Sequence, residues 1–130
     1  MSWQLTDDQL KLQAKARELA TEVIAPRAAD VDEAQEYPWV NVEALRDAGF
    51  TGMTVPTEFG GPGLSFLDAV LVVEEMAKVC GVTGRIAVEC NMGAISAVMA
   101  YGTDDQKKLA ADLVLSGDKP AICITEPGAG

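Results

Sequence analysis

Histidine is absent from this sequence of 130 residues, and cysteine is rare, with three residues. Without histidine the chain lacks the usual base that activates a Ser or Cys nucleophile, and a metal centre is hard to build. Cys80, Cys90 and Cys123 lie within apolar stretches and show no CxxC spacing. This pattern predicts reduced core thiols in a cytosolic protein rather than a disulfide framework or a zinc site. The residues alone therefore indicate no complete active site.

Positive charge is also scarce, since 10 Lys and Arg face 20 Asp and Glu, which gives a formal net charge of −10. This excess of acid argues against binding to nucleic acid or to an anionic membrane surface, and favours a solvated acidic exterior. Adjacent acidic residues such as Glu74 and Glu75 are expected to be solvated, because neighbouring positions on a helix point in different directions.

Long apolar runs are missing as well. The most apolar stretch, residues 82–101, is interrupted by Arg85, Glu89 and Asn91, so it falls short of the roughly 18 uninterrupted residues typical of a membrane helix. The N-terminal residues show neither a basic region nor an apolar leader. We therefore expect a cytoplasmic protein.

Helix signals extend from Thr6 to Ser116. Three capping boxes mark helix starts: Thr6 with Gln9, Ser65 with Asp68, and Thr103 with Gln106. Pro26 is expected to end or kink the first helix, and Gly49 to close a short one in the left-handed conformation. Residues 50–64 are rich in Gly and Pro and are expected to form a loop, whose glycines match neither common phosphate-binding motif.

Two strongly apolar segments, residues 66–80 and 82–101, are predicted to form helices that pack as an antiparallel hairpin separated by Gly81. The apolar stripe of the first runs through Phe66 and Val70 and is widened by Leu67, so we expect this helix to be buried on several sides. The predicted fold is an all-α, up-down helical bundle of about five to six helices.

A C-terminal strand is predicted over Ile122 to Thr125, because β-branched residues follow Lys119-Pro120. Since no second strand is predicted, its partner is expected in a domain outside these residues. We therefore divide the chain into a helical domain, residues 1–118, and the first strand and turn of a truncated β domain, residues 119–130. On this interpretation the chain is the front part of a larger protein.

Glu89 is a carboxylate on an otherwise apolar helix. A buried carboxylate needs a partner or a water-lined cavity. An ion pair with Arg85, four residues earlier, and a role in lining a pocket explain Glu89 equally well, and catalysis by Glu89 is less favoured than either.

The residues Cys123–Gly130, which read CITEPGAG, resemble the first half of the signature of the acyl-CoA dehydrogenase family. Supporting segments occur in family order: Val55-Pro56 followed by residues 58–63, the helix with Glu74-Glu75, and residues 101–107. The resemblance covers the whole chain and implies the N-terminal helical domain of a flavoprotein, continued by a β-barrel-like middle domain and a C-terminal four-helix domain.

This resemblance implies an oxidoreductase of fatty acid metabolism that binds FAD and desaturates an acyl-CoA thioester between its α and β carbons. Hydride passes to flavin N5, and an electron-transfer flavoprotein then receives the electrons. The implied cofactor-binding residues are Ile122, Cys123, Ile124, Thr125 and Gly130. The implied substrate-binding residues, at the closed end of the acyl pocket, are Glu89, Cys90, Asn91 and Gly93.

The family's catalytic base usually lies in the C-terminal domain, so we assign no catalytic residue and expect the isolated chain to be inactive. The family also implies a homotetramer. Two alternatives stay open: an acyl-CoA oxidase or flavin monooxygenase of the same fold, and a non-catalytic helical interaction module.

Overall fold

A computed structural model describes residues 4–118 and 121–129. Its α-helices, numbered in chain order, are α1 (Asp7–Leu19), α2 (Ala28–Ala34), α3 (Trp39–Asp47), α4 (Phe66–Val79), α5 (Gly81–Asn91), α6 (Ala94–Tyr101) and α7 (Asp104–Leu115). Within the described ranges there is no β-sheet, only an isolated bridge near the C-terminal end. The predicted all-α class is confirmed.

All three predicted capping boxes are formed. At each, the hydroxyl of Thr6, Ser65 or Thr103 accepts a hydrogen bond from the backbone N–H three residues later, and that later side chain accepts one from the capping residue. Since each box pairs two otherwise free helix-end donors, it fixes the start of its helix. Gly49 follows α3 with φ of +79°, as predicted.

The helical path continues through Pro26 with a change of helix type. After α1 the backbone widens into a π-helical turn at Ala20–Ile24 and then tightens into a 3₁₀ turn at Ala25–Arg27, which contains the proline. A proline has no N–H to donate to the preceding turn, and the change of helix type accommodates this gap. The short helix α2 continues the path and ends at Gln35, which has φ of +53°.

The buried apolar side chains form two clusters. The larger joins α1 and its π-helical extension, α3, the start of the 50–64 loop, α4 and α5, and includes Ala16, Ile24, Leu45, Phe50, Met53, Met76 and Ala87. The smaller joins the loop to α6 and α7 through Val55, Ile95, Ala111 and Val114. α6 and α7 are therefore packed against the loop through a cluster that is separate from the larger one.

α4 and α5 pack closely, as the predicted hairpin requires. A single extended residue, Cys80, joins them. A Cβ atom at Gly84 would come within 2.7 Å of the Ala77 Cα atom, so the absence of a side chain at 84 sets how near the two helices can approach.

Two details of the helix prediction were wrong. The segment 82–101 is two helices, because Met92 and Gly93 leave the helical conformation. In α4, Phe66, Leu67 and Val70 are 57%, 49% and 44% exposed. The helix buries a narrower face than its composition indicates, since α1 and α5 cover only the side that carries residues such as Val72 and Met76.

The C-terminal residues 121–125 belong to no helix or strand. They are followed by a tight turn in which the backbones of Glu126 and Ala129 exchange two hydrogen bonds of 2.8 and 3.1 Å. The predicted strand is thus not paired in the described part of the chain, while Lys119-Pro120 lie outside the described residues. The domain division at 118/119 stays a prediction.

No helix of the described residues combines the length and apolar character that a membrane span requires.

Candidate functional site

The ion pair between Arg85 and Glu89 lies one turn apart on α5. Arg85 is 71% exposed, whereas Glu89 is only 13% exposed. The guanidinium contacts Oε1 of Glu89, while Oε2 is buried without a hydrogen-bond partner among the described residues. The ion-pair interpretation of Glu89 is therefore confirmed, and one carboxylate oxygen is left available for a further donor.

Gly93 provides the space for the Glu89 carboxylate. A Cβ atom at position 93 would overlap Oε2 of Glu89. Gly93 also stands at the break between α5 and α6, where its N–H donates to the carbonyl of Val88 over 3.1 Å. Glu89 and Gly93 are thus in contact, and the position of the carboxylate requires that residue 93 has no side chain. Their role in substrate binding stays a prediction.

Cys90 and Asn91 point into the interior. Cys90 is 1% exposed, and burial, with a smaller contribution from the nearby charge of Glu89, raises the pKa of its thiol to about 11. The thiol is therefore neutral near pH 7 and is no nucleophile. The role of Cys90 in substrate binding stays a prediction.

The side chain of Asn91 joins α5 to the start of the 50–64 loop. Its Oδ1 accepts from the Met53 N–H over 2.7 Å, and its Nδ2 donates to the carbonyl oxygens of Phe50 and Ala87 over 2.8 and 2.9 Å. These three contacts define a structural function for Asn91. A contact of Asn91 with substrate stays a prediction.

A second buried network lies at the start of α5. Asn41 of α3 donates from Nδ2 to Thr83 Oγ1 over 2.9 Å, and Thr83 donates to Cys80 Sγ over 3.2 Å. Arg27 Nε donates to Asn41 Oδ1 over 3.1 Å. Local sequence patterns predict no role for Arg27, Asn41 or Thr83, although an Asn beside the apolar positions of a short helix is a signal that singles out position 41.

Glu75 departs from the expectation of a solvated acidic pair. Its carboxylate is 3% exposed and accepts hydrogen bonds from Arg17 of α1 and from Lys78. The hydrogen bond from Arg17, aided by Lys78, lowers the pKa of Glu75. Only Glu74, the other member of the pair, is on the solvent side of α4.

The predicted flavin-contacting residues lie on the exposed C-terminal segment. Ile122 and Ile124 are 44% and 80% exposed, and Thr125 is exposed too, while Gly130 falls outside the described residues. Cys123 is also exposed, so the prediction of a core thiol is wrong for Cys123, whereas Cys80 and Cys90 are buried. Ala121, at the start of this segment, lines a cavity of about 200 Å³ together with residues of α6 and α7. The segment thus runs beside the smaller core.

These residues fit an aromatic cofactor with polar ring edges. Exposed isoleucines can cover a flat ring, and the hydroxyl and backbone N–H groups of the unpaired segment can donate to ring heteroatoms. The described chain holds no group of three or more residues suited to a metal ion.

A family model for "Acyl-CoA dehydrogenase, N-terminal domain" matches residues 6–118. A 3-sulfinopropanoyl-CoA desulfinase of Variovorax paradoxus is 66% identical over 128 residues, which cover 98% of this chain and 32% of the relative. A short-chain specific acyl-CoA dehydrogenase of Clostridium acetobutylicum is 34% identical over 131 residues, covering 100% of this chain and 35% of the relative.

Two solved structures have the same fold. One, described as "Electron transferring flavoprotein of Acidaminococcus fermentans: Towards a mechanism of flavin-based electron bifurcation", has a TM-score of 0.90 at 32% identity and covers 100% of this chain and 34% of its own. The other, butyryl-CoA dehydrogenase from Megasphaera elsdenii, has a TM-score of 0.85 at 26% identity, with coverage of 100% and 35%.

The chain spans about one third of the length of the curated relatives it matches. Its capped helices and its α4–α5 pair lie within residues 6–118, which the family model matches, and the CITEPGAG segment follows them in the sequence. The chain belongs to the acyl-CoA dehydrogenase family.

Proposed function

We propose that this chain is the N-terminal part of an FAD-dependent enzyme that removes the sulfinate group from 3-sulfinopropanoyl-CoA. The observation that carries this proposal is the identity of 66% with a desulfinase over nearly the whole chain, against 34% with an acyl-CoA dehydrogenase. Three further desulfinases are 59–62% identical over the same length.

The substrate of a desulfinase carries a negative charge at the end of its acyl chain. Arg85 is the only cationic residue of α5, the helix that also carries the predicted substrate-binding residues Glu89, Cys90 and Asn91. A guanidinium has five N–H donors in a planar fork, so one edge can hold Glu89 while another binds the two sulfinate oxygens. We assign this binding function to Arg85.

The exposed state of Arg85 agrees with this assignment. Its side chain is 71% exposed and contacts Glu89, which keeps its orientation defined. Glu89 reduces the net positive charge around the guanidinium. Because Glu89 lies on the buried side of Arg85, the solvent-facing N–H groups of the guanidinium can still bind an anion.

The proposed reaction balances without an external oxidant. The bond between the β carbon and sulfur breaks, a C–H bond replaces it with a proton from water, and sulfur leaves with the remaining hydroxide as hydrogen sulfite. Carbon gains the two electrons that sulfur loses. Desaturation differs, because it removes two electrons and two protons from the acyl chain and therefore needs an acceptor.

FAD would be held in part by Ile122, Cys123, Ile124, Thr125 and Gly130. When bound, FAD supplies the two-electron chemistry of the family. With FAD bound, Ile122 and Ile124 would cover the ring and exclude water from it. Thr125 would donate a hydrogen bond to a polar ring edge and so stabilise negative charge there.

The alternative function is α,β-desaturation of an acyl-CoA with transfer of electrons to an electron-transfer flavoprotein. It is favoured by the family model and by the likeness to butyryl-CoA dehydrogenase. An oxidase or monooxygenase of this fold would consume oxygen, and a helical interaction module would bind no flavin. We further propose a cytoplasmic homotetramer for the longer enzyme, which light scattering after size exclusion tests.

Sulfite release tests the proposed function directly. The enzyme that contains this chain is given 3-sulfinopropanoyl-CoA without an electron acceptor, and sulfite is measured. In a parallel reaction, butanoyl-CoA is given with a dye acceptor, whose reduction reports desaturation. Sulfite release supports the proposal, whereas dye reduction without sulfite release supports the alternative.

The assignment of Arg85 is tested by Arg85→Gln, with Arg46→Gln as control because Arg46 forms an exposed ion pair with Asp47 on α3. Loss of a charge-assisted contact of about 2 kcal/mol lowers kcat/KM for 3-sulfinopropanoyl-CoA about 30-fold. The control keeps its rate. An R85Q enzyme with an unchanged KM and kcat would show that the sulfinate is bound elsewhere.

A further inference from the structure

Buried asparagine side chains hold both ends of α5. At its start, Asn41 of α3 donates to Thr83, and both residues are fully buried. At its end, Asn91 is fully buried and contacts the backbone of Phe50 and Met53. Arg85 lies between these two attachments, two residues after Thr83.

Ordinary capping does not fix the start of α5. The helix begins without a side-chain cap hydrogen bond, directly after the single linking residue Cys80. Instead, the Thr83 hydroxyl attaches the first turn of α5 to its neighbours, since it accepts a hydrogen bond from Asn41 and donates one to Cys80. Because hydrogen bonds are directional, a rotation or shift of α5 breaks this chain of contacts.

The same network reaches the protein surface. Arg27 is exposed, and its Nε donates to Asn41 Oδ1, which leaves Asn41 only one orientation that satisfies both its oxygen and its amide group. The orientation of Asn41 therefore decides which way its Nδ2 points and where Thr83 must lie. Apolar residues of the same size would fill this space without defining that position.

We propose that Asn41 and Thr83 are positioning residues for substrate selection, because their hydrogen bond sets the place of α5 and hence of the Arg85 guanidinium. This inference rests on the proposed function, in which Arg85 binds the sulfinate. The two residues do not touch the substrate. They act through the helix that carries Arg85.

The test compares the affinity for a charged and an uncharged acyl-CoA in the longer enzyme. The rate of sulfite release gives KM for 3-sulfinopropanoyl-CoA, and inhibition of that reaction by butanoyl-CoA gives the inhibition constant of the uncharged thioester. The ratio of the two constants measures selectivity for the sulfinate. Thr83→Val keeps the shape of the side chain but removes the hydroxyl, and Thr83→Ser keeps the hydroxyl. Val114→Ala, in the smaller core, is the matched destabilising control.

We expect Thr83→Val to lower the selectivity about tenfold, because misplacement of a binding group by a fraction of an ångström costs about this much. Thr83→Ser retains the selectivity, and Val114→Ala lowers thermal stability without changing it. Unchanged selectivity in Thr83→Val, or an equal loss of selectivity in Val114→Ala, overturns this inference but not the proposed function. A wild-type enzyme without preference for the sulfinate overturns both the inference and the proposed function.

Discussion

Asn91 offers the sharpest test of how the loop is attached to the helices. In Asn91→Ala, the Met53 N–H and the Phe50 carbonyl lose their side-chain partner while both residues stay buried. The Ala87 carbonyl also loses a contact, but as a helical carbonyl four residues before position 91 it keeps the backbone N–H of that residue as a partner.

The size of the effect follows from the two orphaned groups. Leaving a buried donor or acceptor without a partner costs about 2 kcal/mol, so the two together cost about 4 kcal/mol. For a domain of this length that corresponds to a fall in Tm of about 15 °C. Small domains have total stabilities of about 5–15 kcal/mol, so this variant is expected to be close to unfolding.

Urea unfolding of the wild-type chain and the variant measures the loss of stability. Amide hydrogen exchange then identifies its location, since protection of the Met53 N–H falls more than that of helical amides in α3. Asn91→Asp is the matched variant, because its carboxylate can still accept from Met53 but cannot donate to Phe50. A loss below about 1 kcal/mol in Asn91→Ala, or an unaltered Met53 amide, refutes the reasoning.

Two further predictions concern the packing of α4. Gly84→Ala places a methyl group against Ala77, and we expect a net loss of about 1–2 kcal/mol in urea unfolding, because overpacking outweighs the higher helix propensity of alanine. Gly81→Ala, with nothing within 4 Å of the added atom, is the control and changes stability by less than about 0.5 kcal/mol. Since the contact with Arg17 lowers the pKa of Glu75 in the folded chain, the stability from this carboxylate is present above its ordinary value of 4.5 and is lost as the pH falls below it. Glu75→Gln should therefore flatten the decline in Tm under acid, and an unchanged acid slope would contradict this assignment.

Local chemistry made much of the fold predictable. Capping residues act on amides within three positions, and a proline or glycine acts on its own backbone, so Thr6, Ser65, Thr103, Pro26 and Gly49 could be interpreted directly. The Arg85–Glu89 ion pair could also be predicted, because the two residues are one helical turn apart.

The remaining features depend on residues far apart in sequence. Asn41 and Thr83 are separated by 42 positions, and Arg17 and Glu75 by 58, so no local spacing relates them. The exposed face around Phe66 was missed for a related reason. Apolar periodicity indicates which side of a helix can be buried, whereas the number of neighbouring elements decides how much of it is covered.

Only part of the C-terminal segment could be predicted from the sequence. The signature residues Cys123–Gly130 identified the family without any knowledge of packing. A strand, by contrast, is defined by hydrogen bonds to a neighbour, and none is formed over residues 121–125. The cofactor contacts of Ile122 and Thr125 stay predictions, because they involve a bound cofactor, whose position neither backbone propensity nor residue spacing describes.

The division of the interior into two clusters has a consequence for how the protein opens. The smaller cluster contains four buried residues, against thirteen in the larger, so separating α6 and α7 from the rest exposes far less apolar surface than unfolding the whole chain. We expect these two helices to unfold transiently as a unit while α1, α4 and α5 stay folded. Residues 121–129 begin beside that unit, at the cavity lined by Ala121. The segment predicted to contact flavin is thus attached to the two helices that we expect to unfold first. A ligand bound to this segment would make their local unfolding rarer without altering the rest of the bundle.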